Sequence, residues 1–343
     1  MAENINNTSF QEKHRYKPQI NLAVSTAGRM WLVNMCAFLA VLQSSLTDSF
    51  SSLFIALSAV FVAVLTEFLV LHRKRRATVL KDGSAVASAL ILTLLLPNNI
   101  SPFYAAAGAA FAMVVIKHSF GGLGSNWLNP AAGGWLFIRL SWPSAFNHAL
   151  EGSPLQIPGA GTFPAGATPM DASLRDTLNR TIFSLTKAEL SEGYMDLFSS
   201  GFPGIIADRA VFALLLGTIV ISAFQVNRSW IPAIYLTVFG IFVRFGEAMI
   251  FGGDAWTGDV FFAFCSGGTL VAAFFLVSDP ATGAKSNIFI AVTAAVGGLL
   301  AFLFRYYGHE PYGVVFAVVF INAILPLVRM LESRKLYEKQ EIC

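Results

Sequence analysis

Charged side chains are scarce in this sequence. They make up 13% of its 343 residues, and hydrophobic residues make up 55%, whereas a soluble domain carries about 25% charged residues. The apolar residues come in long blocks, which excludes an ordinary soluble enzyme and predicts a polytopic membrane protein. The net charge is only +3, and the basic residues lie between the apolar blocks. We therefore expect contact with membrane lipid and no nucleic-acid partner.

Cysteine is scarce as well. Cys36, Cys265 and Cys343 are far apart, and the sequence contains no CxxC or Cys/His spacing. This pattern excludes a disulfide framework and a metal cluster held by this chain alone. The polar residues 1–28 contain no apolar core, so we expect no signal peptide.

Ten apolar stretches predict an all-α integral membrane protein with about ten transmembrane helices. The predicted domains are an N-terminal segment 1–28, a first membrane part 29–142, a long loop 143–205, a second membrane part 206–331 and a tail 332–343. The predicted spans are 29–46, 51–71, 84–98, 102–118, 129–142, 206–225, 229–246, 257–278, 287–306 and 312–331.

The distribution of basic residues predicts the orientation of these spans. With ten spans both termini lie on one side, and sixteen of the 23 Lys and Arg residues fall on that side. Cytoplasmic segments of membrane proteins are enriched in Lys and Arg. We therefore expect cytoplasmic termini and an external 143–205 loop.

Similar helix-end residues occur in the two membrane parts. Asp82-Gly-Ser precedes the third span and Thr257-Gly-Asp precedes the eighth, while Pro97 and Ser278-Asp-Pro close them. Halves with an odd number of helices would form an inverted repeat, whose broken helices face an ion or a cofactor. Because Pro and Gly mark any helix end, the residues alone leave ordinary helix ends as an equal alternative.

Acidic residues lie within or beside the predicted spans. Glu67 falls inside the second span, and Asp82 and Asp279 flank the third and eighth spans. Buried charges in a membrane are costly and often line an ion path. These three residues are candidate ion-path residues; the alternative for Glu67 is a structural role or access to water at the nearby helix end.

A glycine-rich run occupies residues 120–135. Glycine permits close backbone approach to a ligand or to another helix, and the amide groups of Asn126 and Asn129 can pair with the polar edge of a ligand. The run predicts either a cofactor-binding segment or a helix-packing turn.

The long loop contains a single hydroxyl, Thr168, among small residues of the 159–174 stretch. Pro169 favours an extended backbone at Thr168, and Asp171 or Ser173 could cap a following helix. An open turn before a helix suits a phosphate-bearing group. An ordinary surface loop is the alternative.

Together, these stretches resemble the RnfD/NqrB family, and the resemblance covers about residues 10–335. Members are the flavin-carrying membrane subunits of the Rnf electron-transport complex and of the Na⁺-translocating NADH:quinone reductase. The resemblance implies two inverted five-helix repeats. The residues that carry it are 82–97, 120–131, 166–169, 278–280 and 311–316.

The resemblance also implies two flavins. In the family, a flavin transferase acting outside the cytoplasm joins FMN through its phosphate to a Thr, which matches Thr168 of Gly166-Ala167-Thr168 here. Family members often have Asp six positions earlier and Ser or Thr three positions earlier; this chain has Thr162 and Ala165. Thr162 is an alternative acceptor.

A second, non-covalent flavin such as riboflavin is implied within the membrane part. Its candidate surroundings are the Asn126 and Asn129 run and the Asp82 and Asp279 helix ends.

The short segment before the first span favours the RnfD branch of the family over the NqrB branch. The resemblance then implies electron transfer between ferredoxin and NAD through covalent FMN, coupled to Na⁺ or H⁺ flow across the bacterial cytoplasmic (inner) membrane. Electrons would come from partner subunits that carry flavins and iron–sulfur clusters. A flavin-free channel or transporter is the alternative from another class.

Overall fold

The computed structural model describes most of the two predicted membrane parts. Described residues are 25–73, 81–122, 124–149, 204–251, 258–308 and 310–341, with positions 173, 176–177, 180–181 and 197–198. The predicted tail contributes described residues up to 341, because the last helix extends through it.

The first membrane part is helical, and its helices begin where the sequence supplies caps. Ser101 and Asn129 accept hydrogen bonds from the first turns of α4 and α5, and each is followed by a proline, which suits the first helical position. The helices are α1 (Thr26–Ser45), α2 (Ser51–Arg73), α3 (Ser84–Leu94), α4 (Pro102–Phe111), α5 (Pro130–Ser141) and α6 (Pro143–Ala149). Helix α4 continues as a π-helix over Ala112–His118.

The second membrane part is also helical. Its helices are α7 (Val211–Ala223), α8 (Trp230–Phe251), α9 (Val260–Cys265), α10 (Thr269–Val271), α11 (Asn287–Phe302) and α12 (Gly313–Glu341). Helices α10 and α11 continue as π-helices over Ala272–Val277 and Leu303–Tyr307.

Helix length and surface character agree with the predicted all-helical membrane class. Among the described residues, Ser51–His72, Asn287–Tyr307 and Gly313–Arg334 are long and apolar enough to cross a membrane, and four shorter apolar helices accompany them. Large apolar side chains face outward, including Phe61 at 67% and Ile288 at 72% exposure. Such a surface is typical of a lipid-facing protein.

The third predicted span, 84–98, is wrong at its end. Helix α3 stops at Leu94 because the following backbone pairs with a distant segment. Ile206 N donates to Leu96 O and Ala207 N donates to Leu94 O, both at 2.9 Å. The eighth predicted span is divided between α9 and α10 at Gly267 and Gly268, whose φ angles of 64° and 74° lie in the left-handed region that glycine adopts readily.

Close helix packing brings the two membrane parts together. A Cβ on Gly134 would lie 2.8 Å from Gly108 O, so glycine allows α4 and α5 to pack closely. Trp135 is fully buried, donates from its indole nitrogen to Leu95 O at 3.0 Å and packs against Phe316 of α12. Helix α1 packs on both α3 and α7. The core therefore continues from one part into the other.

Candidate functional site

A cavity of about 230 Å³ lies where α1, α3, α5 and the segment after α10 meet. Three residues predicted from the sequence line it: Asn126, Asn129 and Asp279. Lys117 and Ser84 contribute further polar groups. The structure thus joins the glycine-rich run to the end of α10, two regions about 150 positions apart in the chain.

Asn129 connects these regions directly. Its Oδ1 accepts from the backbone of Ala131 and Ala132, which caps α5. Its Nδ2 donates to Asp279 Oδ2 at 3.0 Å. Asp279 also accepts from Ala281 N at 3.0 Å and from the Thr282 hydroxyl at 3.3 Å. Both carboxylate oxygens are therefore engaged, and the side chain is held at the cavity wall.

Helix α12 holds the segment that carries Asp279. Arg329 donates to the carbonyl oxygens of Ala281 and Gly283 at 3.0 and 3.1 Å. Glu332 accepts from Lys285 N and Ser286 N and so satisfies backbone donors before α11. Sequence reasoning assigned neither residue a site role, because their contacts lie more than 40 positions away.

Glu67 is buried in an ion pair rather than exposed at a helix end. It is 2% exposed and binds the Lys117 ammonium, while His118 Nε2 lies 3.7 Å from Glu67 Oε1. Lys117 is also 2% exposed and donates to Ser84 Oγ at 2.6 Å. The alternative that Glu67 reaches water is wrong. Its carboxylate instead connects to the cavity through Lys117.

Asp82 stands behind the cavity wall. Its Oδ1 accepts from Ser84 N at 2.8 Å and from Ser84 Oγ at 2.6 Å. It therefore fixes the hydroxyl that accepts the hydrogen bond from Lys117. Of the three predicted ion-path residues, Asp279 lines the cavity, while Glu67 and Asp82 act on residues that line it.

A second buried cation occupies the break between α9 and α10. Arg305, 3% exposed, donates to Ala263 O, Ser266 O and Ser266 Oγ at 2.7–3.0 Å. It also donates to Thr269 Oγ1 at 3.1 Å. These bonds satisfy carbonyl groups that the helix break leaves unpaired.

The starts of α3 and α10 share three features. Gly83 and Gly268 precede them, both with φ of 74°. The first residue of each helix is a hydroxyl residue held by a buried cation: Lys117 binds Ser84 and Arg305 binds Thr269. Each cation lies in a π-helix. The matching residues are thus Gly83 and Gly268, not Asp82 and Thr257 as the sequence suggested.

The predicted covalent flavin site lies outside the described residues. This applies to Gly166, Ala167 and Thr168, and equally to Thr162 and Ala165.

Comparison with known proteins places these features in context. The model of the NQR2, RnfD, RnfE family matches residues 13–338. An RnfD-type subunit of the ion-translocating oxidoreductase complex of Shewanella denitrificans is 29% identical over 330 residues, covering 91% of this chain and 93% of the relative.

Two further relatives of the same type carry more specific names. The subunit from the proton-translocating ferredoxin:NAD(+) oxidoreductase complex of Clostridium ljungdahlii is 28% identical over 316 residues, covering 91% of each chain. The Na(+)-translocating counterpart of Acetobacterium woodii is 28% identical over 326 residues, covering 93% of each chain. Because these names differ in the ion, similarity to them does not select H⁺ or Na⁺.

Proposed function

Since this chain belongs to the NQR2, RnfD, RnfE family, we propose that it is the flavin-carrying membrane subunit of an Rnf-type ion-translocating ferredoxin:NAD oxidoreductase. The match over residues 13–338 carries this proposal. The other subunits, which carry flavins and iron–sulfur clusters, are its proposed electron partners. In the part of the chain that the structure describes, no group of three His, Cys, Asp or Glu side chains could hold a metal.

The proposed architecture is two inverted five-helix repeats in the bacterial cytoplasmic membrane. The termini are cytoplasmic and the 143–205 loop is external. The shared features at Gly83 and Gly268 support the repeat, because discontinuous helices at matching positions are typical of inverted-repeat membrane proteins. The proposed covalent FMN is attached to Thr168 beside Gly166 and Ala167, with a flavin transferase as a further partner.

The cavity is proposed to hold the ring of a second, non-covalent flavin such as riboflavin. Asn126 is 3% exposed and lines the cavity, and its Oδ1 has no hydrogen-bond partner among the described residues. A buried amide oxygen normally has a donor, and a flavin ring edge carries both N–H and C=O groups. Lys117 supplies a donor for the C=O groups. The donor set therefore fits a flavin.

The size of the space is consistent with a ring rather than with a whole nucleotide. The 230 Å³ cavity is below the ~300–1,000 Å³ typical of pockets that enclose drug-sized ligands. A flavin supplies one- or two-electron transfer when bound. Asn126, Asn129 and Lys117 would orient its polar edge, while Ile91 and Phe275 exclude water.

Asn126→Leu is expected to lower non-covalent flavin content at least tenfold, because leucine removes the buried acceptor. Acid precipitation of the purified complex, followed by chromatography of the released flavin, measures this content. Asn322→Leu is the matched control: Asn322 is also 3% exposed and unpaired at Nδ2 but lies beside α12, away from the cavity. Equal flavin loss in both variants would contradict the assignment.

The activity is tested in sealed vesicles that contain the complete complex. Reduced ferredoxin should reduce NAD with accompanying ion uptake, and removal of this chain should abolish both. NADH-driven quinone reduction instead would identify the NqrB component of the Na⁺-translocating NADH:quinone reductase. Ion permeation without an electron donor or bound flavin would identify a channel or transporter.

A further inference from the structure

A groove of about 730 Å³ opens beside the cavity. Three basic side chains line it: Arg29 from the first turn of α1, Arg228 from the connection between α7 and α8, and Lys285 from the connection between α10 and α11. All three residues are exposed. Three separate segments thus direct positive charge to one concave surface.

The remaining charges around the groove leave this positive field largely unopposed. Asp279 is the acidic residue among those that line it, and Asn129 and Thr282 already engage its carboxylate. Arg228 donates to the neutral Asn287 Oδ1 at 2.8 Å. The groove therefore favours an anionic ligand.

The lower wall of the groove is apolar. Ile231, Val277 and Ile290 line it, together with Trp230 at the start of α8. Tryptophan at a helix end is typical of the membrane–water interface. A free inorganic anion would leave this apolar wall in contact with water. A ligand with an anionic head and an apolar chain matches both parts of the surface.

We propose that the groove binds an anionic phospholipid, with its phosphate among Arg29, Arg228 and Lys285 and an acyl chain along Ile231 and Ile290. Basic pockets between membrane helices bind anionic headgroups in this way. The groove shares Arg29, Val226, Asn227, Asp279 and Pro280 with the cavity. The bound lipid therefore covers the mouth of the cavity, whatever ligand the cavity holds.

Native mass spectrometry of the intact complex, titrated with phosphatidylglycerol or phosphatidylcholine, tests the site. Each basic residue near an anionic lipid contributes roughly fivefold in affinity. The triple variant Arg29→Gln/Arg228→Gln/Lys285→Gln should bind phosphatidylglycerol roughly a hundredfold more weakly than the wild type. Phosphatidylcholine binding should change little in the same variant.

The control variant Lys81→Gln/Arg244→Gln/Arg334→Gln removes the same charge from exposed residues that do not line the groove. It should retain phosphatidylglycerol binding. Lys285→Gln alone should weaken binding about fivefold and avoids dependence on a triple variant that folds poorly. Equal weakening in both triple variants would overturn the site, since general surface charge would then explain binding. Full competition by inorganic phosphate at constant ionic strength would overturn a lipid as its ligand.

Discussion

Thr168→Ala is expected to abolish covalent FMN, because alanine lacks the hydroxyl oxygen that would form the phosphoester bond. The wild-type chain, co-expressed with a flavin transferase, should gain the mass of one FMN phosphoester and give a fluorescent band in a denaturing gel. Both signals should disappear in the variant. Intact-mass measurement and in-gel fluorescence on the same sample provide the test.

Thr162→Ala is the matched control, since Thr162 is the other hydroxyl residue considered as an acceptor in the same loop. It should retain both signals. If Thr162→Ala loses the flavin and Thr168→Ala keeps it, then Thr162 is the acceptor. If the wild type gains no mass beside an active transferase, covalent flavinylation is wrong and the flavin-free alternative gains support.

Hydropathy predicts the helices well where one apolar stretch forms one helix. The second predicted span, 51–71, corresponds to Ser51–Arg73, and the fifth, 129–142, corresponds to Pro130–Ser141. The third span failed at its end because apolar character continues past Leu94 while the backbone turns to pair with Ile206 and Ala207. That pairing depends on residues more than 100 positions away, which a local pattern cannot register.

The candidate site was predictable where polar residues interrupt apolar sequence at helix ends. Asn126, Asn129 and Asp279 meet at one cavity for this reason. Lys117 and Arg305 were missed, because a single basic residue near the end of an apolar span also serves as a topology signal. Both lie in π-helices, which often occur at functional sites. Their unusual local geometry is not visible in hydropathy.

Glu67→Gln is expected to slow ion-coupled turnover while leaving covalent flavin content unchanged. The substitution also leaves the buried Lys117 ammonium without its counter-charge. Breaking a buried pair by neutralising one partner costs about 3–5 kcal/mol. Ion uptake by sealed vesicles measures the first effect, and thermal unfolding of the purified chain measures the second.

A structural role alone would also lower turnover, so two further variants separate the explanations. Glu310→Gln makes the same chemical change in a pair with Arg139 whose side chains are 23% and 18% exposed; a more exposed pair contributes about 0–1 kcal/mol. Glu67→Gln/Lys117→Met removes both charges and should recover much of the lost stability, because an apolar replacement avoids an unpaired buried charge. If the double variant regains stability but not ion uptake, Glu67 and Lys117 act in ion coupling. Wild-type uptake in the stabilised double variant would restrict the pair to holding α2 against the end of α4.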